Sequence, residues 1–209
     1  MTAAPTICFS DLKKFGACAP MRRMYKEKFS TRERLDAKMA LTRGVKFNHI
    51  IWVAERLSLR DENARVRFQC WNIDCVIMAL PIYGAVFEVP RELVDVIECR
   101  KRLVQDHNNA ALQSALETAI GKFKTTHSKN MANLSRVRNL YLAVNQVATA
   151  AINESVAHKS IYQAVYDYTT VLGTATRRAA LAEIEAAKRS RFLDWFAENP
   201  PKTFLVIKR

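Results

Sequence analysis

The sequence predicts an all-α protein, a multi-helix bundle of antiparallel helical hairpins with a short extended C-terminal tail. Three observations carry this. Between Pro90 and Pro200 there is no proline and only two glycines, Gly121 and Gly173. Apolar residues recur through that stretch at three- and four-residue steps, which places them on one helical face. Successive alanine-rich segments of similar length also fit helices that double back on one another. A chain of 209 residues can bury one substantial core or two small ones. The division drawn from composition is a basic N-terminal helical lobe, 1–89, and a long-helix lobe, 90–209, with one continuous domain as the alternative.

Each element has its own signal. Ser10 and Asp11 are placed to cap a first helix through Phe15, and Gly16 supplies the left-handed stop. A second helix follows Pro20. Ser30-Thr31-Arg32-Glu33 has the capping-box pattern, in which hydroxyl and carboxylate satisfy free amides at a helix start. The helix it opens is expected to reach Thr42, with Leu35 and Met39 inward. After Gly44, residues Phe47, Ile50, Ile51, Ala54 and Leu57 mark a helix with one buried stripe.

From Val66 two stripes coexist. Val66, Cys70, Ile73, Ile77 and Leu80 form one, and Phe68, Trp71, Cys75 and Met78 the other. A helix apolar on most sides belongs in the middle of a bundle. Pro81 should kink or end it, since proline removes one backbone bond and crowds the preceding turn.

Pro90 suits a first helical position, with Leu93, Val96, Ile97, Leu103 and Val104 following on one face. Asn108 or Asn109 caps the next helix, whose inner face reads Leu112, Ala115, Leu116, Ala119, Ile120 and Phe123. The polar stretch Lys124 to Asn130 is expected to separate it from a long helix lined by Val137, Leu140, Tyr141, Val144, Val147, Ala148, Ala151 and Ile152. Another helix spans Ser155 to Leu172, stopped by Gly173. Thr174 caps the last, Ala175 to Ala197, and the apolar, β-branched tail Thr203 to Ile207 lies extended.

The chain carries 33 Lys and Arg against 20 Asp and Glu, a formal charge of +13. Such a surplus favours polyanions or an acidic protein surface as partners. Residues 1–67 hold 15 basic and 7 acidic side chains and residues 68–209 hold 18 and 13, so the front third is the more basic. The densest set is Arg22, Arg23, Lys26 and Lys28, interleaved with Tyr25 and Phe29. Arg100, Lys101 and Arg102 form a second cluster, Arg177 and Arg178 a third, and Lys188, Arg189 and Arg191 a fourth. Cations on one face neutralise phosphates while aromatic rings offer stacking surfaces. The plain alternative for any one cluster is a solvated helix face, because consecutive residues fan around a helix.

Little else carries chemistry. Five cysteines, an odd number widely spaced, read as reduced thiols in the cytoplasm. Glu154 and His158 stand four apart, the spacing of bundle metal sites and acid–base pairs, yet an ordinary surface hydrogen-bonded pair is the expectation. Asp95 with Glu98 and Asp61 with Glu62 read as solvated helix faces. Cys18 has no base placed beside it by sequence. No metal or cofactor is expected, and catalysis is not. The first sixteen residues lack the pattern of a secretory leader. The apolar run Cys75 to Phe87 is thirteen residues, short of the roughly 20 a membrane-crossing helix needs.

Leu12-Lys13-Lys14-Phe15-Gly16-Ala17-Cys18 resembles the Leu-x-x-x-Gly-Ala-Cys opening of a loose group of phage- and bacterium-encoded alanine-rich helical proteins, some labelled putative immunity proteins. Pro90, Ile97 and Glu98 resemble the stretch leading into their alanine-rich part, here Ala110 to Ala187. This chain departs from the group where Pro20-Met21 follows the cysteine and where Val, Asn and Tyr dilute the alanines. The resemblance implies an all-helical, phage-encoded accessory protein without known catalysis, and carries over no functional residues. An immunity role would require an acidic toxin, since opposite charge steers such encounters.

The function expected is therefore a non-enzymatic phage or mobile-element accessory protein that binds nucleic acid, a nucleoprotein or an acidic host protein through a basic helical surface, in the host cytoplasm. The alternatives are an inhibitor of a host protein acting by protein–protein contact and a virion structural component.

Overall fold

The computed structural model describes residues 3–132, 134, 138–170 and 173–207. Among these residues the fold is all-α, a multi-helix bundle of ten α-helices without a strand. The helices are α1 Phe9–Lys14, α2 Ala19–Lys28, α3 Ala37–Thr42, α4 Phe47–Ser58, α5 Glu62–Gly84, α6 Arg91–Gln105, α7 Ala110–Ala132, α8 Arg138–Ile152, α9 Ala157–Thr170 and α10 Thr174–Trp195. No described helix is long and apolar enough to cross a membrane. Val137, expected on the inner face of α8, and Leu172, the expected end of α9, lie outside the described residues.

Packing groups the chain into two units that are not continuous in sequence. Unit 1 comprises residues 1–68 and 189–202, and unit 2 comprises 69–188 and 203–209. This differs from a single cut between residues 89 and 90. The helices α5 and α10 each contribute to both units, and a linear reading of composition has no means of returning residues 189–202 to the first segment.

In unit 1 the core is Phe9, Leu12, Ala17, Met21, Tyr25, Phe29 and Leu35, with Ile7, Met24, Val45, Trp52 and Val53 packed against it. The cap of α1 is Cys8, not Ser10 or Asp11: the Asp11 carboxylate reaches back to accept the Cys8 backbone N–H at 2.8 Å. Gly16 takes φ +73°, a region other residues avoid, and turns the chain into α2.

The capping box at Ser30 does not open a helix. Instead Glu33 ion-pairs with Arg43 at 2.7 Å, the Glu33 carbonyl accepts the Tyr25 hydroxyl, and Leu35 bridges to Ile7 in extended backbone. Pairing with Ile7 buries Leu35 but holds it outside any helix. The helix begins at Ala37, where Asp36 accepts the Met39 N–H at 2.7 Å. Starting there leaves Met39 exposed rather than inward.

In unit 2, α5 is buried on nearly every side from Gln69 onward, with Trp71, Cys75, Ala79 and Tyr83 fully enclosed. It runs three residues beyond Pro81 to Gly84, so the proline neither ends it nor marks its boundary. Residue 90 is the N-cap of α6 rather than its first helical position. Four residues join α6 to α7, and the two pack together, as do α8 and α9. So short a link between packed neighbours makes each pair an antiparallel hairpin.

Asn109 caps α7 by accepting the Leu112 N–H at 3.0 Å. The polar stretch 124–130 does not break this helix. It continues to Ala132 because His127 and Met131 extend the buried face of Phe123, and the His127 ring lies 6.0 Å from that of Tyr83. Ala115 is exposed instead of inward, as is Tyr141 on α8, while Leu112, Leu116 and Ile120 are half-buried.

Ala143, Val144, Val147, Ala148, Ala150 and Ala151 of α8 are buried, and so are Ala157, Ile161, Ala164 and Val165 of α9. Small side chains let two helix backbones approach closely, and each fully buried valine or isoleucine contributes about 1.5–3 kcal/mol. A 3-10 turn, Glu154–Val156, precedes α9, which therefore starts at Ala157 rather than Ser155. Gly173, at φ +98°, precedes α10. The tail has no regular structure and is pinned by the Leu205 N–H, which donates to the buried Asp74 carboxylate at 2.9 Å.

The placement of the α3 cap is testable. Asp36→Ala should lower unfolding free energy by about 1 kcal/mol, the usual worth of an N-cap. Ser30→Ala should change it by less than about 0.5 kcal/mol, as surface substitutions do. Urea denaturation of the two variants checks this, and a larger effect at Ser30 would contradict the assignment.

Candidate functional site

Unit 1 holds 18 Lys and Arg against 9 Asp and Glu, so it carries +9 of the chain's +13. Part of that charge is gathered about α1. The Lys13 and Lys26 ammonium groups lie 5.2 and 5.1 Å from the centroid of the same ring, Phe9. The Arg60 guanidinium sits 5.2 Å over Phe15 and donates to the Lys14 carbonyl at 3.2 Å. Of these, Arg60 meets a carbonyl of the last turn of α1, where positive charge is favoured. Ring contacts at exposed sites are worth about 0.5–1 kcal/mol and orient a cation without neutralising it. Lys13, Lys26 and Arg60 thus present aimed positive charge to solvent, and Lys14 is exposed beside them in sequence.

The same field reaches Asp11. Burial raises its carboxyl pKa, but the bonds from the Cys8 backbone and thiol, with the charges of Arg34 and Lys14, outweigh this and hold it below the usual aspartate value.

Of the basic residues picked out in the sequence, only Lys26 joins this group. Arg23 is exposed and Arg22 half-buried on α2. The Lys28 ammonium donates to the Arg43 and Gly44 carbonyls at 3.0 and 3.4 Å, closing the end of α3. In unit 2 the Arg100 guanidinium donates to the Ala151 and Ile152 carbonyls at 3.0 and 2.5 Å and pairs with Glu154 at 2.9 Å. It is an internal cap for the end of α8.

Lys101 pairs with Glu98 at 2.8 Å and lies over Phe204, whereas Arg102 is exposed. Arg177 stands 5.0 Å over Tyr166, and Arg178 is exposed. Lys188 is buried, paired with Glu185 at 2.8 Å and 6.0 Å over Tyr162, while its neighbour Arg189 is exposed. Lys13, Lys14 and Arg60 were not selected in sequence. The four-residue step from Phe9 to Lys13 is a local signal for the first, and the meeting of Arg60 with Phe15 has none.

The remaining candidate chemistry resolves into structure. Glu154 and His158 do not form a surface pair. Glu154 pairs with Arg100, and His158 is buried, stacked on Trp71 at 5.2 Å, with Nδ1 3.1 Å from the Asn72 amide oxygen. Asp61 accepts the Ala64 N–H at the start of α5, and Glu62 pairs with Arg65. Cys70 and Cys75 are buried and in no disulfide, and burial pushes the Cys75 thiol far above its ordinary pKa. Cys18 is exposed at the cap of α2. No group of three His, Cys, Asp or Glu able to hold a metal ion occurs among the described residues. No family model matches the chain, nor does any curated protein or solved structure.

Two outcomes are expected from these contacts. Arg100→Gln should cost about 2–3 kcal/mol of stability, because it removes charged hydrogen bonds and leaves Glu154 half-buried without its cation. Arg102→Gln, one residue along, should stay within about 0.5 kcal/mol by urea denaturation.

Burial, reinforced by the positive charges of Lys159 and Lys188, lowers the His158 pKa from 6.5 to about 4. The unfolded chain therefore binds a proton that the folded protein refuses between those two values. Stability is complete above about pH 6.5 and falls as pH drops toward 4, by roughly 3 kcal/mol. His158→Asn should flatten that part of the stability–pH curve relative to the native chain, and an unchanged curve would contradict the assignment.

Proposed function

We propose that this chain is a non-enzymatic binding protein that engages nucleic acid, alone or within a nucleoprotein, through the cations gathered about α1. The observation that carries this reading is the placing of Lys13 and Lys26 over the Phe9 ring and of Arg60 over the Phe15 ring, with the exposed Lys14 beside them in sequence, in the more basic unit. Oriented cations on a helical surface match a phosphate backbone and release its counterions, which supplies affinity without reading bases. The resemblance of the Leu12–Cys18 opening supports a phage or mobile-element setting, with the host cytoplasm as the place of action.

The test is a fluorescence-anisotropy titration of a labelled duplex and a labelled single strand across salt. Affinity should fall linearly on a log–log plot. Replacing Lys13, Lys14, Lys26 and Arg60 together by Gln should reduce the slope by roughly 3, at about 0.9 per duplex phosphate and 0.7 per single-strand phosphate. Absence of binding at low salt would overturn the proposal. A variant with the parent slope would remove the assigned surface.

A further inference from the structure

The rings that carry the cations of unit 1 are not open platforms. Phe9 is only 8% exposed and lies under the Lys13 and Lys26 ammonium groups. Phe15 is half-buried and carries the Arg60 guanidinium. The pattern repeats along the chain, with Arg43 5.4 Å over the buried Phe29 and Arg56 5.6 Å over the half-buried Trp52. Tyr25 is enclosed and donates its hydroxyl to the Glu33 carbonyl. Among the described residues no Phe, Tyr or Trp of unit 1 is exposed, and the exposed rings, Tyr141, Tyr162 and Tyr166, belong to unit 2.

Proteins that hold single strands combine cations along the backbone with aromatic faces on which bases stack. The α1 surface has the cations, but a ring face covered by an ammonium or guanidinium is closed to a base. Attraction to phosphate is what this surface offers, and that attraction grows with the density of charge along the partner. We propose that the α1 surface selects double-stranded over single-stranded nucleic acid through the phosphates of the duplex, with Phe9 and Phe15 orienting cations rather than stacking bases. The inference rests on the nucleic-acid reading above and narrows its substrate class. Each phosphate neutralised contributes about 0.9 to the salt slope of a duplex and about 0.7 to that of a single strand. With Lys13, Lys14, Lys26 and Arg60 each meeting one phosphate, the slopes differ by about 0.8, which favours the duplex by roughly six-fold on going from 1 M to 0.1 M salt. A stacked base favours the single strand by about five-fold or more, so one would offset this advantage and a second would reverse it.

The experiment is a fluorescence-anisotropy titration of the full chain at about 0.1 M salt with three labelled probes matched in number of phosphates: a duplex, an oligothymidylate and an abasic single strand. The duplex should bind at least about three-fold more tightly than the oligothymidylate, and removing the bases should weaken single-strand binding by less than about three-fold. Replacing Lys13, Lys14, Lys26 and Arg60 together by Gln should abolish the duplex advantage. A smaller advantage for the duplex, or a larger loss on removing the bases, would overturn the inference while leaving nucleic-acid binding intact. A variant that keeps the advantage would overturn its assignment to the α1 surface. Absence of binding to all three probes at low salt would overturn the nucleic-acid reading, and this inference with it.

Discussion

The constraint on which the rest depends is that α5 is buried while carrying polar side chains. Arg67, Asn72 and Asp74 are each nearly inaccessible to solvent. A buried polar or charged group without partners costs several kcal/mol, so the surrounding chain must come to it. Within unit 1, Arg67 draws in the carbonyls of Ala3, Trp195 and Ala197, and so holds the N-terminal segment and the end of α10. Within unit 2, Asn72 takes His158, Asp74 takes the backbone of Leu205, and the Trp71 indole donates to the Lys188 carbonyl. Segments far apart in sequence are thus fixed by a single helix.

The same demand explains the fate of much of the positive charge. A helix end buried against protein exposes carbonyls that need donors, and an arginine or lysine supplies several at once. Arg100 does this for α8, and at the exposed end of α3 Lys28 donates to the Arg43 and Gly44 carbonyls. Lys188 is enclosed with its carboxylate partner Glu185. Cations used in this way are structural whatever their density along the chain. Other cations face solvent, and in unit 1 aromatic rings orient Lys13, Lys26 and Arg60 among them.

Much of the architecture was legible in the residues. Gly16 and Gly173 adopt the left-handed turns that their positions announced, and α5 is the enclosed helix that its two apolar stripes required. The misreadings share one cause. Capping and periodicity are local signals, and each failed where a distant partner outbid the local preference. Ile7 claimed Leu35 for an extended bridge, so the capping box at Ser30 opened nothing. Tyr83 and Phe123 gave His127 a buried place, so a polar stretch stayed helical. Glu154 went to Arg100 rather than to the histidine one turn away.

What the sequence determined by itself was helicity, the helix stops and the excess of positive charge, because backbone preference and composition act through neighbours along the chain. Which cations face solvent, which acids cap helices and which rings lie covered were decided by the tertiary structure. Those outcomes depend on which side chains arrive from elsewhere to satisfy a buried polar atom or cover an apolar face, and spacing along a single chain does not encode that arrival.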